Sequence, residues 1–300
     1  MQFEATSYNA HQDWFGKQYS DDDKRWEAIN SWMEQKKNHT INYYIQNRLL
    51  ELIRPLLNTS NQWITVGDGY GFDANYLFEN KQKVVATDIS PTFLEMSKQA
   101  GLLEDFSIEN AEKLSFADNH FDYALCKEAY HHFPRPYMAV YEMLRVVKKG
   151  IILIEPHDPL SKMPFLLALR NILDNWNVNT LQKYWKNRYS FEEVGNYVFK
   201  LSERECEKMA MGINLPAIAF KGINNNYYKV SIANESYQSS AFKKLQRKIR
   251  WHNLLCKLTL MPYQVLSAII FKQTPDEQTI ASLKKDGYRV YILPKNPYLK

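Results

Sequence analysis

The stretch WITVGDGYGFDANYL, residues 63–77, contains the pattern that decides the fold. A short apolar run is followed by three glycines at alternate positions, Gly67, Gly69 and Gly71, and then by residues at helical spacing. Glycine tolerates positive φ and lets the backbone come close to a ligand. In an open parallel sheet, a loop of this kind lies at the carboxyl ends of the strands, where ligands bind. The stretch therefore predicts a strand, a ligand-binding loop and a helix.

Strand-like and helix-like segments alternate after this loop. Strands are predicted in KVVATDIS (83–90), DFSIEN (105–110), FDYALCK (121–127) and IILIEPH (151–157), with helices in PTFLEMSKQAG (91–101) and PRPYMAVYEMLRVVKKG (134–150). Such alternation is typical of βαβ units with a parallel sheet covered on both faces. NNYYKVSIAN (225–234) and GYRVYIL (287–293) are strand-like and could complete the sheet. The prediction is an α/β fold, Rossmann-like and doubly wound, with a mainly parallel seven-stranded sheet and a helical, aromatic cap insertion.

Composition excludes several other classes of protein. The chain has 300 residues, 45% of them hydrophobic and 24% charged, which is ordinary for a globular protein, and a net charge of +5 does not indicate a nucleic-acid partner. Cys126, Cys206 and Cys256 form no Cys-x-x-Cys pair, so a reducing, cytoplasmic location is expected. The N-terminus lacks the apolar core of a signal peptide, and the longest apolar run, 258–271, is too short to span a membrane.

The residues in and after the glycine loop limit which ligand it can bind. Asp88 ends the next strand, where a carboxylate can accept hydrogen bonds from both ribose hydroxyls of an adenosine-containing ligand. A dinucleotide loop needs glycine where this chain has Phe72, and Asp68 would repel a pyrophosphate. S-adenosylmethionine (SAM), which carries a sulfonium, does not meet that repulsion. SAM is therefore favoured, and an NAD(P)-dependent oxidoreductase is the alternative.

The segments that follow add a family resemblance. IENAEKLSFADNHFDYALCKEAYHHF (108–133) and YMAVYEMLRVVKKGIILIEP (137–156) resemble the central half of class I SAM-dependent methyltransferases, particularly the type 11 group. The resemblance covers roughly residues 40–158. It implies SAM as cofactor and methyl transfer as activity. Two positions depart from the family pattern: Thr65 stands where an acid is usual, and Asn110 replaces a frequent Asp.

The resemblance also implies roles for single residues. Gly67, Gly69 and Gly71, with Asp68 between them, would pass under the methionine part of SAM. Asp88 would hold the ribose, and Ile89 would lie beside the adenine. Asn110 and Ala111 would contact the edge of the adenine. Cys126 and Lys127 would lie under the methionine end of SAM.

Three histidines are the candidates for catalysis. An alcohol is a poor nucleophile while protonated, so its methylation needs a base. His131, His132 and His157 lie near the predicted tips of the fourth and fifth strands, with Glu155 and Asp158 as residues that could orient them. The alternative is that these histidines pack in the core or contact backbone. No metal site is expected, because no pair of histidines has the i, i+4 spacing of metal ligands.

The outer segments suggest the acceptor. Tyr184, Trp185 and Tyr189, in an aromatic and Asn-rich insertion, are of the type that stacks on sugar faces, although ordinary packing explains them equally well. We therefore expect O-methylation of a small molecule or glycan. A non-catalytic SAM-fold module that contacts membranes is a further alternative, because residues 242–257 form a basic, helix-like segment without an acid. A solvated helix face is the simpler interpretation of that segment.

These patterns divide the chain into four predicted parts. They are an N-terminal arm or lid (1–35), a SAM-binding Rossmann-like core (36–158), a substrate cap insertion (159–200), and a segment that completes the sheet and carries the basic helix (201–300).

Overall fold

A computed structural model describes residues 2–177, 179–180, 183, 190–192, 195–225 and 229–298. Tyr184, Trp185 and Tyr189, predicted to contact the acceptor, lie outside these residues. In the described part of the chain, no helix is both long and apolar enough to cross a membrane.

The described helices surround one sheet. They are α1 (Gln2–Gln18), α2 (Asp22–Lys37), α3 (Ile41–Leu50), α4 (Phe72–Glu79), α5 (Thr92–Gln99), α6 (Pro136–Val146), α7 (Pro164–Leu173), α8 (Glu203–Gly212), α9 (Ser240–Lys257) and α10 (Glu277–Lys285). Short 3₁₀ helices occupy Glu51–Leu56, Tyr130–His132, Leu160–Lys162 and Val230–Ile232. Several of the helices begin at side-chain caps; for example, the Ser202 hydroxyl accepts a hydrogen bond from the Glu205 amide.

Eight strands form the sheet in the described residues, one more than predicted. They are β1 (Gln62–Val66), β2 (Lys83–Asp88), β3 (Asp105–Ile108), β4 (Phe121–Lys127), β5 (Val147–Pro156), β6 (Ala217–Ile223), β7 (Val265–Phe271) and β8 (Arg289–Ile292). The order is β3-β2-β1-β4-β5-β7-β6-β8. The first five strands in this order pair in parallel, and the last three join antiparallel. The strand order reverses between β1 and β4, and a doubly wound sheet binds ligands at such a point.

The prediction for the last strands was partly wrong. The segment 225–234 is not a strand where the structure describes it, because Val230–Ile232 forms a 3₁₀ turn. The sheet is completed by β6, β7 and β8, of which β8 alone was predicted. β7 lies between β5 and β6 and is buried along its whole length, so it forms part of a continuous apolar run and lacks the alternation that marks an exposed strand.

Both faces of the sheet are covered, which confirms the doubly wound architecture. On one face, α6 and α8 pack against β1, β4 and β5 through Met143 and Cys206. On the other, α3, α4 and α10 contribute Leu49, Leu77 and Leu283.

The N-terminal helices pack on the cofactor side of the core. Ile29 of α2 is fully buried against Phe93 and Met96 of α5. Trp32 of α2 stacks on Phe72 at the start of α4, with ring centroids 4.1 Å apart. Most of residues 2–37 therefore form two helices, and α2 packs beside the loop that follows β1.

Candidate active site

The glycine loop after β1 requires glycine at two positions for different reasons. Gly67 has φ 75°, and a Cβ there would lie 2.5 Å from the Ala129 Cβ in the loop after β4. Gly71 has φ 74° and would meet the Leu103 side chain at 2.4 Å. Gly67 thus allows two loops to approach each other at the strand tips, while Gly71 allows α4 to start close to the core.

Asp68 braces the loop from within. Its carboxylate accepts hydrogen bonds from the Thr65 hydroxyl (2.9 Å) and from the amides of Asp73 (3.2 Å) and Ala74 (2.8 Å) at the start of α4. Burial raises the pKa of Asp68, against the effect of these bonds. Thr65, which departs from the family pattern, supplies a hydroxyl to the acid of the loop. The acid that braces the loop is therefore Asp68, three positions after the position where the family usually has one.

Lys127 brings a positive charge to the end of β4. Its Nζ lies 3.3 Å from Asp73 Oδ1 and 3.5 Å from Glu128 Oε2. Burial raises the pKa of Asp73 to about 7, although Lys127 opposes the shift. Burial lowers the pKa of Lys127, but Asp73 and Glu128 outweigh it, so the net shift is upward and the lysine stays charged.

Asp88 lies at the tip of β2, as predicted. Its Oδ1 accepts a hydrogen bond from the Ser90 amide (2.9 Å), and burial raises its pKa to about 6. The next residue, Ile89, accepts a hydrogen bond through its carbonyl from Gln12 Nε2 of α1 (3.3 Å). The N-terminal arm therefore reaches directly over the end of β2.

One cleft of about 870 Å³ joins these elements. Of the residues predicted to bind cofactor or catalyse, those that line it are Gly67, Asp68, Gly69, Asp88, Ile89, Lys127 and His132. Others lie outside its described lining: Gly71, Asn110, Ala111, Cys126, His131 and His157. Asn110 Oδ1 accepts from the Glu112 amide, and Cys126 is fully buried. The roles assigned to all thirteen residues stay predictions.

His131 is held by a buried carboxylate. Its Nδ1 lies 2.6 Å from Glu155 Oε2, and Glu155 Oε1 accepts from the amides of Ala129 and Tyr130. Burial lowers the pKa of His131, but the bond to Glu155 and its charge outweigh that effect and raise it. Glu155 orients His131, as the sequence suggested, and it also fixes the loop after β4.

His157 is placed differently from the other two histidines. Its Nδ1 donates to the Tyr263 carbonyl (3.1 Å), and burial lowers its pKa. Its Nε2 is buried, and no partner for it is described.

His132 belongs to a cluster that sequence reasoning missed. Its Nδ1 lies 2.7 Å from Glu192 Oε2, and its ring meets that of His11 edge to face at 5.3 Å. All three side chains line the cleft, and their ligand atoms lie within 4.8 Å of one another, close enough to hold a metal ion. His11 and Glu192 come from segments far from His132 in sequence. No local pattern signals that they meet.

Comparison with known proteins identifies the core. Residues 64–154, from β1 to β5, match the family model described as a methyltransferase domain. The core is a class I SAM-dependent methyltransferase domain. The match spans the glycine loop, Asp88 and the loop after β4, which are the parts that build the cofactor side of the cleft. The protein is thus an enzyme that transfers methyl groups from SAM.

Several solved structures of methyltransferases and related proteins resemble the chain at low identity. The YcgJ protein from Bacillus subtilis is 20% identical over 76% of this chain and 100% of its own, with a TM-score of 0.49. A SAM-dependent methyltransferase from Archaeoglobus fulgidus is 12% identical over 80% and 98%, with a TM-score of 0.49. The Burkholderia thailandensis 1,6-didemethyltoxoflavin-N1-methyltransferase, solved with S-adenosylhomocysteine, is 11% identical over 83% and 87%, with a TM-score of 0.48. No curated protein matches the chain.

The residues of the cleft fit SAM. The acidic side chains of Asp68, Asp88 and Glu128 line it, and the one lysine in its described lining, Lys127, is paired with Asp73 and Glu128. This balance suits a cationic sulfonium better than a pyrophosphate. Asp88 lines the cleft at the tip of β2, and Gly67 lets the glycine loop approach the loop after β4. The volume is near the upper end of the range of about 300–1,000 Å³ for small-molecule sites.

Proposed function

We propose that the enzyme methylates a hydroxyl oxygen of a small molecule or sugar. The observation that carries this proposal is that the cluster of His11, His132 and Glu192 lines the same cleft as the glycine loop and Asp88. A hydroxyl must be activated before it attacks a methyl group, and the cluster offers groups that can do so at the far side of the cleft.

SAM supplies an electrophilic methyl group on its sulfonium. The acceptor oxygen forms a bond to that carbon as the S–C bond breaks, and the proton of the hydroxyl must be removed. Most of the protein's contribution is to hold the two reactants in line. Gly67 and Asp88 position the donor, and the cluster faces the space that remains.

The walls of the cleft support a flat acceptor. Seven aromatic side chains line it: Tyr8, Trp14, Tyr19, Trp32, Tyr70, Phe72 and Phe133. Five of them come from the N-terminal arm (1–35) or from the glycine loop, and Tyr19 and Tyr70 join their hydroxyls at 2.8 Å. Aromatic faces stack on sugar and aromatic rings. The sequence assigned this role to the insertion, whereas the described aromatic lining comes from the arm and the core.

The test is a comparison of acceptors that differ in one atom. Purified enzyme with labelled SAM is offered phenols and simple sugars beside the matching anilines and amino sugars, and the methylated position is read by mass spectrometry. We expect label on oxygen. Label on nitrogen alone would contradict the proposal.

Variants then connect the activity to the cluster. With the best acceptor, His132→Asn should lower kcat by about 100-fold or more, since general acid–base groups contribute about 10²–10⁴-fold. Binding of S-adenosylhomocysteine should stay within about twofold. His120→Asn, at an exposed histidine outside the cleft, is the control and should leave kcat unchanged. Equal kcat values for the two variants would show that the cluster takes no part in the reaction.

A further inference from the structure

Three side chains from distant segments meet in the lining of the cleft. His11 comes from α1, His132 from the 3₁₀ turn after β4, and Glu192 from the segment after α7. A simple His–carboxylate dyad would need only His132 and Glu192, which already contact each other at 2.7 Å. The second imidazole, 5.3 Å from the first, requires another explanation.

We propose that His11, His132 and Glu192 bind one divalent transition-metal ion of the Zn²⁺ class. Two imidazoles and one carboxylate form a three-ligand set that leaves further positions on the ion open. This inference rests on the proposed O-methylation and refines it, because it names the means by which the cluster activates the hydroxyl. It departs from the sequence-based expectation of no metal site, which considered only His131, His132 and His157.

The tautomer of His11 is fixed in a way that suits a ligand. The buried Asn196 uses its Nδ2 to donate to the His131 carbonyl (3.2 Å), so its Oδ1 faces His11 Nε2 (3.2 Å) and accepts from it. The proton of His11 is therefore on Nε2, and Nδ1 carries the lone pair. Metal-binding histidines characteristically donate their other N–H to an oxygen in this manner.

Asn196 also holds the third member. The Glu192 amide donates to the Asn196 carbonyl (3.0 Å), and the Gly195 amide donates to the Glu192 carbonyl (2.9 Å). One buried residue thus fixes His11, the main chain of His131 and the turn that carries Glu192. Ligands that are oriented before the ion arrives lose little freedom on binding.

The protonation states agree with this geometry. Burial and the neighbouring His132 lower the pKa of His11, so its imidazole is neutral near pH 7. Burial raises the pKa of Glu192, but the hydrogen bond with His132 outweighs it and keeps the side chain a carboxylate. Neutral imidazoles and an anionic carboxylate are the forms that bind metal.

The distances require only a small closure. The ligand atoms lie within 4.8 Å of one another, whereas tetrahedral ligands about 2.1 Å from an ion are about 3.4 Å apart. Shifts of about 1 Å per side chain suffice, with the ion taking the place of the direct contact between His132 and Glu192.

An ion at this point would activate the acceptor directly. The acceptor hydroxyl takes an open coordination position, its pKa falls as that of a bound water does, and its proton passes to solvent through the open side of the cleft. The oxygen then forms the bond to the methyl carbon while the S–C bond breaks, and neutral S-adenosylhomocysteine leaves. Electrons and charge balance without any further reactant.

The test is a metal titration without donor or acceptor. Protein freed of metal by chelator and dialysis is titrated calorimetrically with ZnCl₂, and separately with CoCl₂, whose visible spectrum reports coordination. We expect one saturable site with a low-symmetry Co²⁺ spectrum, and no comparable binding of MgCl₂, since Mg²⁺ prefers oxygen ligands.

Variants at the cluster complete the test. Glu192→Gln and His11→Asn should each weaken Zn²⁺ by more than about 100-fold, because even outer-shell changes cost about 10–100-fold. His120→Asn should not change the affinity. Retained binding of S-adenosylhomocysteine shows that each variant is folded. Absence of a saturable site in the wild type, or equal affinity in Glu192→Gln, would overturn the metal site.

The outcome is separable from the proposed function. If the protein binds neither Zn²⁺ nor Co²⁺, the metal site is wrong but the proposed O-methylation is not contradicted. His132 and Glu192 would then act as a proton-accepting dyad. Failure of the acceptor comparison with metal present would overturn O-methylation and leave the metal site intact.

Discussion

The two sides of the cleft are built in opposite ways. The cofactor side uses strand tips, backbone and short loops that are consecutive in sequence, from Gly67 to Lys127. The acceptor side uses side chains from α1, α2 and the segment around Glu192, which are far apart in sequence. The first side is fixed by local geometry, so its residue types follow from backbone requirements. The second depends on long-range packing between segments that are distant in sequence.

This difference explains what the sequence could predict. The glycine loop, Asp88 and the parallel strands β1 to β5 follow from periodicity and turn chemistry over short windows. The strand β7 was missed because a strand buried on both faces has no alternation. The contact of His11 with His132 and Glu192 was missed because the three residues are far apart in sequence. No short stretch around any of them indicates that the fold brings them together. Thr65 looked like a defect until Asp68 was seen to complete the same brace.

The largest effect should come from breaking the backbone geometry of the cofactor side. Gly67→Ala places a Cβ 2.5 Å from the Ala129 Cβ at a residue with φ 75°. We expect a loss of stability of about 3 kcal/mol, from strain of about 1–3 kcal/mol and the clash together, and loss of S-adenosylhomocysteine binding. Gly101→Ala is the matched control, since it has φ 73° but open space around the new Cβ. The free energy of unfolding of both variants is measured with denaturant. Equal losses in the two variants would show that the Cβ at position 67 meets no clash.

A smaller effect should come from the brace of the loop. Thr65→Val removes the hydroxyl that donates to the buried Asp68 carboxylate, which should cost about 2 kcal/mol, as for hydrogen bonds to charged groups. Thr87→Val removes a buried hydroxyl bonded to the Thr65 carbonyl, a neutral acceptor, and should cost about half as much. Chemical denaturation measures both. A cost for Thr65→Val no greater than for Thr87→Val would mean that Asp68 is not held as an anion.

The pH dependence of cofactor binding should follow Asp88. Burial raises its pKa to about 6, and the ionised form would accept the hydrogen bonds that we propose from the ribose hydroxyls. Affinity for S-adenosylhomocysteine should therefore be constant above pH 7 and fall about tenfold by pH 5, where about a tenth of the carboxyl is ionised. Asp88→Asn should bind more weakly and lose this dependence. An unchanged slope in Asp88→Asn would assign the titration to another group.

The smallest effect is expected on the outer layer behind the acceptor side. Helix α9 packs on α3 and exposes basic residues, with Trp251, Leu254 and Leu258 at helical spacing toward its end. If this face meets an anionic membrane, Arg247→Gln should weaken binding to phosphatidylserine vesicles about fivefold, since one basic residue contributes about 1 kcal/mol. Lys285→Gln, the same loss of charge on α10, should not. Equal binding of both variants in vesicle sedimentation would leave α9 a solvated face.

The most direct test is a calorimetric titration of the wild type and Asp88→Ala with S-adenosylhomocysteine. Saturable binding at one site in the wild type, weakened at least about tenfold in Asp88→Ala, is the predicted result, because we propose that the carboxylate at the tip of β2 holds the ribose. Wild-type protein that does not bind S-adenosylhomocysteine, or that binds NADH in its place, would contradict the assignment of the cleft to SAM.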